Sequence, residues 1–142
     1  MADDGRIQAE VLTPEGEVFR GELFQVSART VVGEVGVRAR HAPMLARLVP
    51  NELRLYESQS EFSSGGGSRY AAASGWLEVF ANKVTVLIEE AHDPDSLDPS
   101  QLKERISDAE QRMSEADEDS AAYEVAENDK ARAEAFIEIA QS

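Results

Sequence analysis

The chain has 142 residues and no cysteine, and its 28 acidic and 14 basic side chains give a formal net charge of −14 at pH 7. This length suits one compact domain, or one domain with a short appendage. The charge argues against nucleic acid as a partner, because phosphate binding depends on Lys and Arg. No stretch approaches the roughly 20 apolar residues of a membrane span. We therefore expect any contact with a membrane to be indirect, through another protein.

Short β-strands separated by turns are predicted from Ile7 to Ile88. β-Branched and aromatic residues are frequent in these runs, and apolar and polar residues alternate in several of them, which is typical of half-buried strands. Asn82 is expected to supply a left-handed backbone in a tight hairpin turn. The predicted strands are residues 7–12, 18–26, 52–56, 76–80 and 83–88. Many short strands at this spacing predict a sandwich or a barrel.

Residues 57–68 are predicted to form a flexible loop. The segment contains Gly65-Gly66-Gly67, and Phe62 is its one bulky apolar residue. Glycine-rich loops bind phosphate in some proteins, but this one lacks the following Lys and the strand-to-helix setting of such loops. We therefore interpret it as a connection between strands.

A helical hydrophobic period begins after Ala91. Asp98 is predicted to cap a first helix that has Pro99 at its first position, and Asp119 or Ser120 to cap a second helix. Each helix carries one apolar stripe: Leu102, Ile106, Ala109, Met113 and Ala116 on the first, and Ala122, Ala126, Ala133, Ile137 and Ala140 on the second. Because the stripes are rich in alanine, we expect weak docking and a tail that is either a folded hairpin or a straight rod.

The predicted fold class is α+β, with an N-terminal antiparallel β-sandwich at residues 1–91 followed by a C-terminal two-helix hairpin at residues 98–142. Residues 92–97 form a predicted linker. Asp93 and Asp95 in this linker, together with Glu104 in the first predicted helix, have the spacing of acidic residues in an EF-hand loop. The pattern lacks the oxygen ligand and the glycine that such a loop requires at its centre. We therefore predict an acidic linker and no metal site.

Two histidines, His41 and His92, are the side chains whose usual pKa lies near neutral pH. Neither belongs to a hydrolase or metalloprotease motif. His92, beside Asp93, is predicted to be a solvated linker residue. His41 lies between Arg40 and Ala42-Pro43 in a turn, where it is either an ordinary surface residue or an interface contact. We predict no catalytic residue and no cofactor.

Gly33-Glu34-Val35-Gly36 precedes His41-Ala42-Pro43-Met44-Leu45, and Ser74-Gly75-Trp76-Leu77-Glu78-Val79 follows further along the chain. These blocks resemble the GE-x-G-x-x-x-x-HAPLL and SGG-x-LEV patterns of the epsilon subunits of bacterial and organellar rotary ATP synthases. Ser74 stands where the family usually has its first Gly. The resemblance covers nearly the whole chain and implies a β-sandwich followed by a helical hairpin. It also implies a non-catalytic role in the central stalk of a proton-translocating ATP synthase, at the cytoplasmic face of the bacterial plasma membrane.

The same resemblance implies particular partners and contact residues. The β-domain would bind the gamma subunit and rest against the ring of c subunits, coupling one to the other. By motif match Glu34 would face the ring, and His41-Ala42-Pro43-Met44 would lie in the region of contact with gamma and the ring. Arg38 and Arg40 are expected either to pair with acidic groups of these partners or to remain solvated charges.

Two departures from the family pattern concern regulation. Some relatives bind ATP through an I/L-D-x-x-R-A motif, but here Gln101 replaces the arginine, which leaves Asp98 and Arg105 as the candidate nucleotide-binding residues. In inhibitory relatives a basic C-terminal helix engages the beta subunit, whereas Lys130 and Arg132 lie here among acidic residues. We therefore expect weak or no inhibition of ATP hydrolysis through contacts of the helices with alpha or beta subunits.

Two other functions are compatible with these residues. The first is a free-standing β-sandwich that binds a ligand or serves as an adaptor, with an oligomerising helical tail. The second is a small hydrolase in which His41 acts with a nearby carboxylate. Recovery of gamma in a pull-down would favour the rotor subunit, whereas self-association without gamma would favour the adaptor. Turnover of a substrate that disappears in His41→Ala would favour the hydrolase.

Overall fold

The computed structural model describes residues 5–142, which form two parts. The first part ends at His92 and consists of β-strands with one short helix, and the second, Asp93–Ser142, is helical. The predicted α+β class, with strands followed by a two-helix hairpin, is confirmed. No helix within the described residues is long and apolar enough to cross a lipid bilayer.

Within the described residues of the first part, the structure has ten strands besides the short helix. They are β1 (Ile7–Thr13), β2 (Gly16–Leu23), β3 (Gln25–Thr30), β4 (Gly33–Val37), β5 (Met44–Leu48), β6 (Asn51–Tyr56), β7 (Ser68–Ala72), β8 (Gly75–Phe80), β9 (Lys83–Ile88) and β10 (Ala91–His92). They pair in the order β10-β7-β6-β3-β5-β8-β9-β1-β2, with β4 beside β3. Pairs of neighbouring strands are antiparallel, except that β1 and β9 are parallel. The inward-facing residues form one aliphatic core that includes Ile7, Val26, Leu55, Leu77 and Val86.

The predicted hairpin at residues 76–88 is confirmed. β8 and β9 pair in an antiparallel register from Gly75 with Ile88 to Phe80 with Lys83. The two residues of the turn, Ala81 and Asn82, have φ values of 50° and 59°. Two successive left-handed residues form the turn type whose twist suits a two-residue hairpin.

The prediction of a single strand over residues 18–26 is wrong. β2 pairs with β1 and ends at Leu23, whereas β3 begins at Gln25 and pairs with β6. The intervening Phe24 donates its backbone N–H to the carbonyl oxygen of Tyr56 at 2.9 Å. The chain changes its pairing partner at this residue, so the strand is broken although the β propensity of the sequence is continuous.

The prediction of a flexible loop over residues 57–68 is also wrong, because a short helix, α1 (Gln59–Ser64), lies within it. The Ser58 hydroxyl oxygen accepts a hydrogen bond from the backbone N–H of Glu61 at 3.1 Å. Gly65 ends the helix with φ at 76°. A serine cap followed by an acidic residue at the third helical position, and a left-handed glycine at the end, are local helix signals that the sequence contains.

Two longer helices form the second part: α2 (Pro99–Glu115) and α3 (Ala121–Ala140). Both predicted caps are confirmed. An Asp98 carboxylate oxygen accepts from the backbone N–H of Ser100 at 2.9 Å, and the Ser120 hydroxyl oxygen accepts from that of Tyr123 at 3.2 Å. A single 3₁₀ turn, Pro94–Ser96, precedes them.

The two helices lie against each other. Their buried side chains are Leu102 and Ala109 on α2, and Ala126, Ala133, Phe136 and Ile139 on α3. The predicted stripe on α3 is thus only partly correct, because Ala122 is exposed and Ile137 is half-buried. Phe136 and Ile139 widen the alanine face and supply most of its apolar volume.

Ion pairs also join the helices. The Arg112 guanidinium lies 3.0 Å from carboxylate oxygens of both Asp108 on its own helix and Asp129 on α3. The Lys130 ammonium lies 3.6 Å from a Glu110 carboxylate oxygen. Most of these groups are partly exposed, so each pair contributes about 0.2–1 kcal/mol at most.

Candidate protein interface

The turn between β4 and β5, residues 38–43, is called the rim turn below. The backbone N–H of His41 donates to the carbonyl oxygen of Arg38 at 3.1 Å, which closes the turn. Arg40 has φ at 63°, in the left-handed region that a residue with a Cβ seldom adopts. Its backbone N–H donates to the side-chain oxygen of Asn82 at 2.8 Å. The rim turn therefore has a defined shape although it contains no glycine.

The His41-Ala42-Pro43-Met44 segment leads from the rim turn into β5. Ala42 and Pro43 are exposed, whereas Met44 is half-buried against the core. The His41 Nδ1 lies 2.7 Å from the carbonyl oxygen of Ala42, which can only accept, so Nδ1 carries a proton. In the neutral ring the Nε2 lone pair then remains as an acceptor for a partner.

Arg38 is held by side chains of its own chain. Its Nε donates to the side-chain oxygen of Gln25 at 2.6 Å. Its guanidinium lies 4.6 Å from the ring centroid of Phe24 and 5.0 Å from that of Phe62, which is within cation–π range of both rings. The side chain is exposed, yet these contacts within its own chain hold its position.

Glu34 lies away from the rim turn. It is exposed near the other end of β4, opposite Arg29 of β3. Arg38 lies four residue steps of extended chain beyond Glu34, a distance of about 13 Å. The adjoining tip of the β3–β4 hairpin carries Val32, whose side chain is 93% exposed.

An exposed apolar face, which the sequence analysis missed, continues from the rim turn. Leu45 is 67% exposed, Trp76 48%, Phe80 66% and Leu87 48%. These four residues are called the outer patch. Trp76 lies directly opposite Leu87 in the register of β8 and β9, and Leu45 lies opposite Glu78, so all of them project from one face of the sheet.

A signal for the outer patch was present in β8. Trp76 and Phe80 alternate there with the buried Leu77 and Val79, so both faces of the strand are largely apolar. A strand with only one face in a core normally carries polar residues on the other. The hairpin was predicted correctly, but the apolar residues on its outward face were not recognised as a surface.

The candidate nucleotide-binding residues lie in the helical part. A carboxylate oxygen of Asp98 is used by the cap of α2, and Arg105 is exposed two turns further along that helix. Across residues 5–142, no three His, Asp or Glu side chains are grouped so that they would hold a metal ion.

The fold and this surface define a β-sandwich protein with an attached helical hairpin and an exposed apolar face. The family model for the β-sandwich domain of the ATP synthase delta/epsilon chain matches residues 6–94. The chain is 35% identical to the ATP synthase epsilon chain of Persephonella marina over 92% of this chain and 93% of that one. It is 30% identical to that of Halalkalibacterium halodurans over 94% and 96% of the two chains. The protein therefore belongs to the ATP synthase epsilon chain family.

A solved structure has the same fold. A chain in the mitochondrial ATP synthase of Euglena gracilis superimposes with a TM-score of 0.77 at 20% identity, over 96% of this chain and 82% of that one. The resemblance inferred from the two sequence blocks is confirmed by the family match and the relatives. As an epsilon chain, the protein is a non-catalytic subunit of a membrane-associated complex.

Proposed function

We propose that this chain is a rotor subunit of a proton-translocating F-type ATP synthase, in which it couples the gamma subunit to the c ring at the cytoplasmic face of the bacterial plasma membrane. Family membership supports the class of function. The observation that carries the coupling role is the continuity of the rim turn with the outer patch, since the rim turn ends at Pro43 and Leu45 of the outer patch is the second residue of the strand that follows.

The outer patch has the composition of a protein interface. A cluster of large exposed apolar side chains on one sheet face usually marks a contact with another macromolecule. Tryptophan is enriched among the residues that dominate binding energy. Arg47 and Glu78 lie beside Trp76 and Leu45 on the same face and provide a polar rim. Gamma is the partner that we assign to this patch and to the rim turn.

Glu34 is assigned to the second partner, the c ring. It lies at the opposite end of β4 from the rim turn, beside the exposed hairpin tip. A carboxylate at this place can accept hydrogen bonds from polar or basic loops of the ring. Contacts at both ends of one rigid strand would transmit force between gamma and the ring without any chemistry by this chain.

A pull-down tests the function directly. The intact chain, co-expressed with the gamma subunit of the same ATP synthase, is expected to form a stoichiometric complex. The complex should survive high salt, because salt screens interactions between charges and the contacts of the outer patch are mainly apolar. The chain alone is expected to remain monomeric. Self-association together with failure to recover gamma would instead identify the chain as an adaptor with an oligomerising tail.

The helical hairpin is proposed to inhibit ATP hydrolysis weakly or not at all. Residues 93–142 contain 15 Asp and Glu and 5 Lys and Arg residues, a formal charge of −10. Arg112, Lys130 and Arg132 each pair with a carboxylate inside the hairpin. Like charges would therefore oppose the approach of this hairpin to an acidic partner.

Deletion of residues 98–142 is expected to change the ATPase activity of the reconstituted enzyme by less than about twofold, which corresponds to under 0.5 kcal/mol in the barrier. The matched control is Arg112→Ala, which removes the pair with Asp129 but keeps both helices. A rise of several-fold on deletion would contradict the proposal and show that the hairpin is a strong inhibitor.

A further inference from the structure

Asn82 joins segments of the β-sandwich that are far apart in sequence. Its side-chain oxygen accepts from the backbone N–H of Arg40 in the rim turn at 2.8 Å. Its side-chain nitrogen donates to the carbonyl oxygen of Arg6 at 3.1 Å, and its own carbonyl oxygen accepts from the N–H of Gln8 at 3.1 Å. One amide thus connects the rim turn to the segment that enters β1.

The backbone around Asn82 fixes the place of this amide. Asn82 is the second left-handed residue of the tight β8–β9 turn, and asparagine tolerates that conformation better than most residues. The turn is itself held by the antiparallel pairing of β8 with β9 on one side and by the parallel pairing of Gln8 with Lys83 on the other. The amide therefore projects from a rigid base.

Arg6 strengthens that base. Its guanidinium donates to the carbonyl oxygens of Glu22 and Glu57, each at 2.7 Å. The segment that receives the Asn82 amide is consequently tied to the end of β2 and to the residue that follows β6. A hydrogen bond from Asn82 to Arg6 thus anchors the rim turn to several strands at once.

The rim turn needs such an anchor. Arg40 adopts a left-handed conformation, which is unfavourable for a residue with a Cβ and persists when surrounding contacts over-determine it. The bond from its N–H to Asn82 is one such contact. Without this bond we expect the rim turn to sample other conformations. Only the fraction of molecules with the binding-competent turn would then bind the partner, so the apparent affinity would fall.

We propose that Asn82 is a positioning residue for the interface: its amide holds the rim turn in the shape that gamma binds, although Asn82 need not touch gamma. The inference rests on the proposed function for the identity of the partner. Asn82 lies outside the rim turn but fixes its shape before gamma binds. This reduces the entropy cost of ordering the rim turn on binding.

Three variants test this role by calorimetric titration with the isolated gamma subunit. Asn82→Gly keeps a backbone that tolerates the left-handed conformation but removes both side-chain bonds. Only the bond to Arg40 acts directly on the rim turn, so we expect the Kd to rise about tenfold, the equivalent of that one lost hydrogen bond. Asn82→Asp keeps the acceptor for Arg40 but replaces the donor to the Arg6 carbonyl oxygen with a carboxylate oxygen, so we expect its Kd to lie between those of the unchanged chain and Asn82→Gly. Ala81→Gly changes the same turn without touching the network and should bind like the unchanged chain.

Hydrogen exchange supplies a readout that does not depend on gamma. In Asn82→Gly the Arg40 amide is expected to exchange about tenfold faster, whereas the amide of the core residue Val84 is expected to keep its protection. Failure of the unchanged chain to bind gamma would overturn the proposed function, and the exchange rates would still decide the positioning role.

The role would be overturned by unchanged gamma binding in Asn82→Gly, or by unchanged exchange at Arg40. It would also be overturned if Asn82→Gly lost its cooperative unfolding transition. In that case the amide would support the whole sandwich and not the rim turn in particular.

Discussion

Replacing Trp76 with alanine is expected to weaken binding of the gamma subunit by about thirtyfold or more, because truncation of a central aromatic contact costs about 2–4 kcal/mol. The indole lies in the outer patch, opposite Leu87 and beside Leu45 and Phe80. Because half of the side chain is already solvent-exposed in the isolated chain, most of this cost should appear in binding and little in folding. Calorimetric titration measures the binding, and thermal unfolding measures the stability.

Val125→Ala is the matched control for Trp76→Ala. Val125 is also a large exposed apolar residue, 55% accessible, but it lies on α3 in the helical part and outside the proposed interface. We expect its Kd for gamma to remain within about twofold of the unchanged value. Equal binding by Trp76→Ala and Val125→Ala would remove the outer patch from the interface with gamma.

Replacing Gly75 with alanine is expected to destabilise the β-sandwich by about 3 kcal/mol, at the upper end of the cost of forcing extra volume into packed structure. A Cβ at this position would lie 1.8 Å from the carbonyl oxygen of Leu87 and 2.8 Å from the Cα of Ile88. Both obstructing atoms are backbone, so no side chain can move aside. β8 would have to separate from β9 where the pairing begins.

Trp76 is the only tryptophan and adjoins Gly75, so its fluorescence in denaturant reports unfolding of the sandwich. Gly66→Ala is the control, because a Cβ there would meet its nearest atoms at 3.5 Å, an ordinary contact distance. Its effect is expected to stay within about 0.5 kcal/mol. A Gly75→Ala chain as stable as Gly66→Ala would show that the strands separate at little cost.

The elements that sequence predicted best depend on local chemistry. The β8–β9 hairpin follows from a two-residue turn that contains Asn82, and the starts of α2 and α3 follow from Asp98 and Ser120. In each case the determining residue lies within a few positions of the feature. The break at Phe24 was missed because it depends on a change of pairing from β1 to β6, which no local propensity records.

In the candidate interface too, the features set by nearby residues were predicted and those set by distant residues were not. The His41-Ala42-Pro43-Met44 segment was identified from a contiguous motif and lies on an exposed turn. The stacking of Arg38 on Phe62 was missed because Phe62 lies in α1, which had been interpreted as a loop. The outer patch required the register of three strands, which places Leu45, Trp76 and Leu87 on one face.

The parallel pairing of β1 with β9 has a consequence for biosynthesis. Residues near Gln8 leave the ribosome long before Lys83, their partner in the sheet. The nascent sandwich therefore has unpaired strand edges until β9 emerges, and such edges are prone to join with other chains. Helices α2 and α3 are translated last but rely on contacts that are close in sequence, and such contacts form quickly. We expect the slow step in maturation to be the docking of β9 onto the free edge of β1, which is already paired with β2.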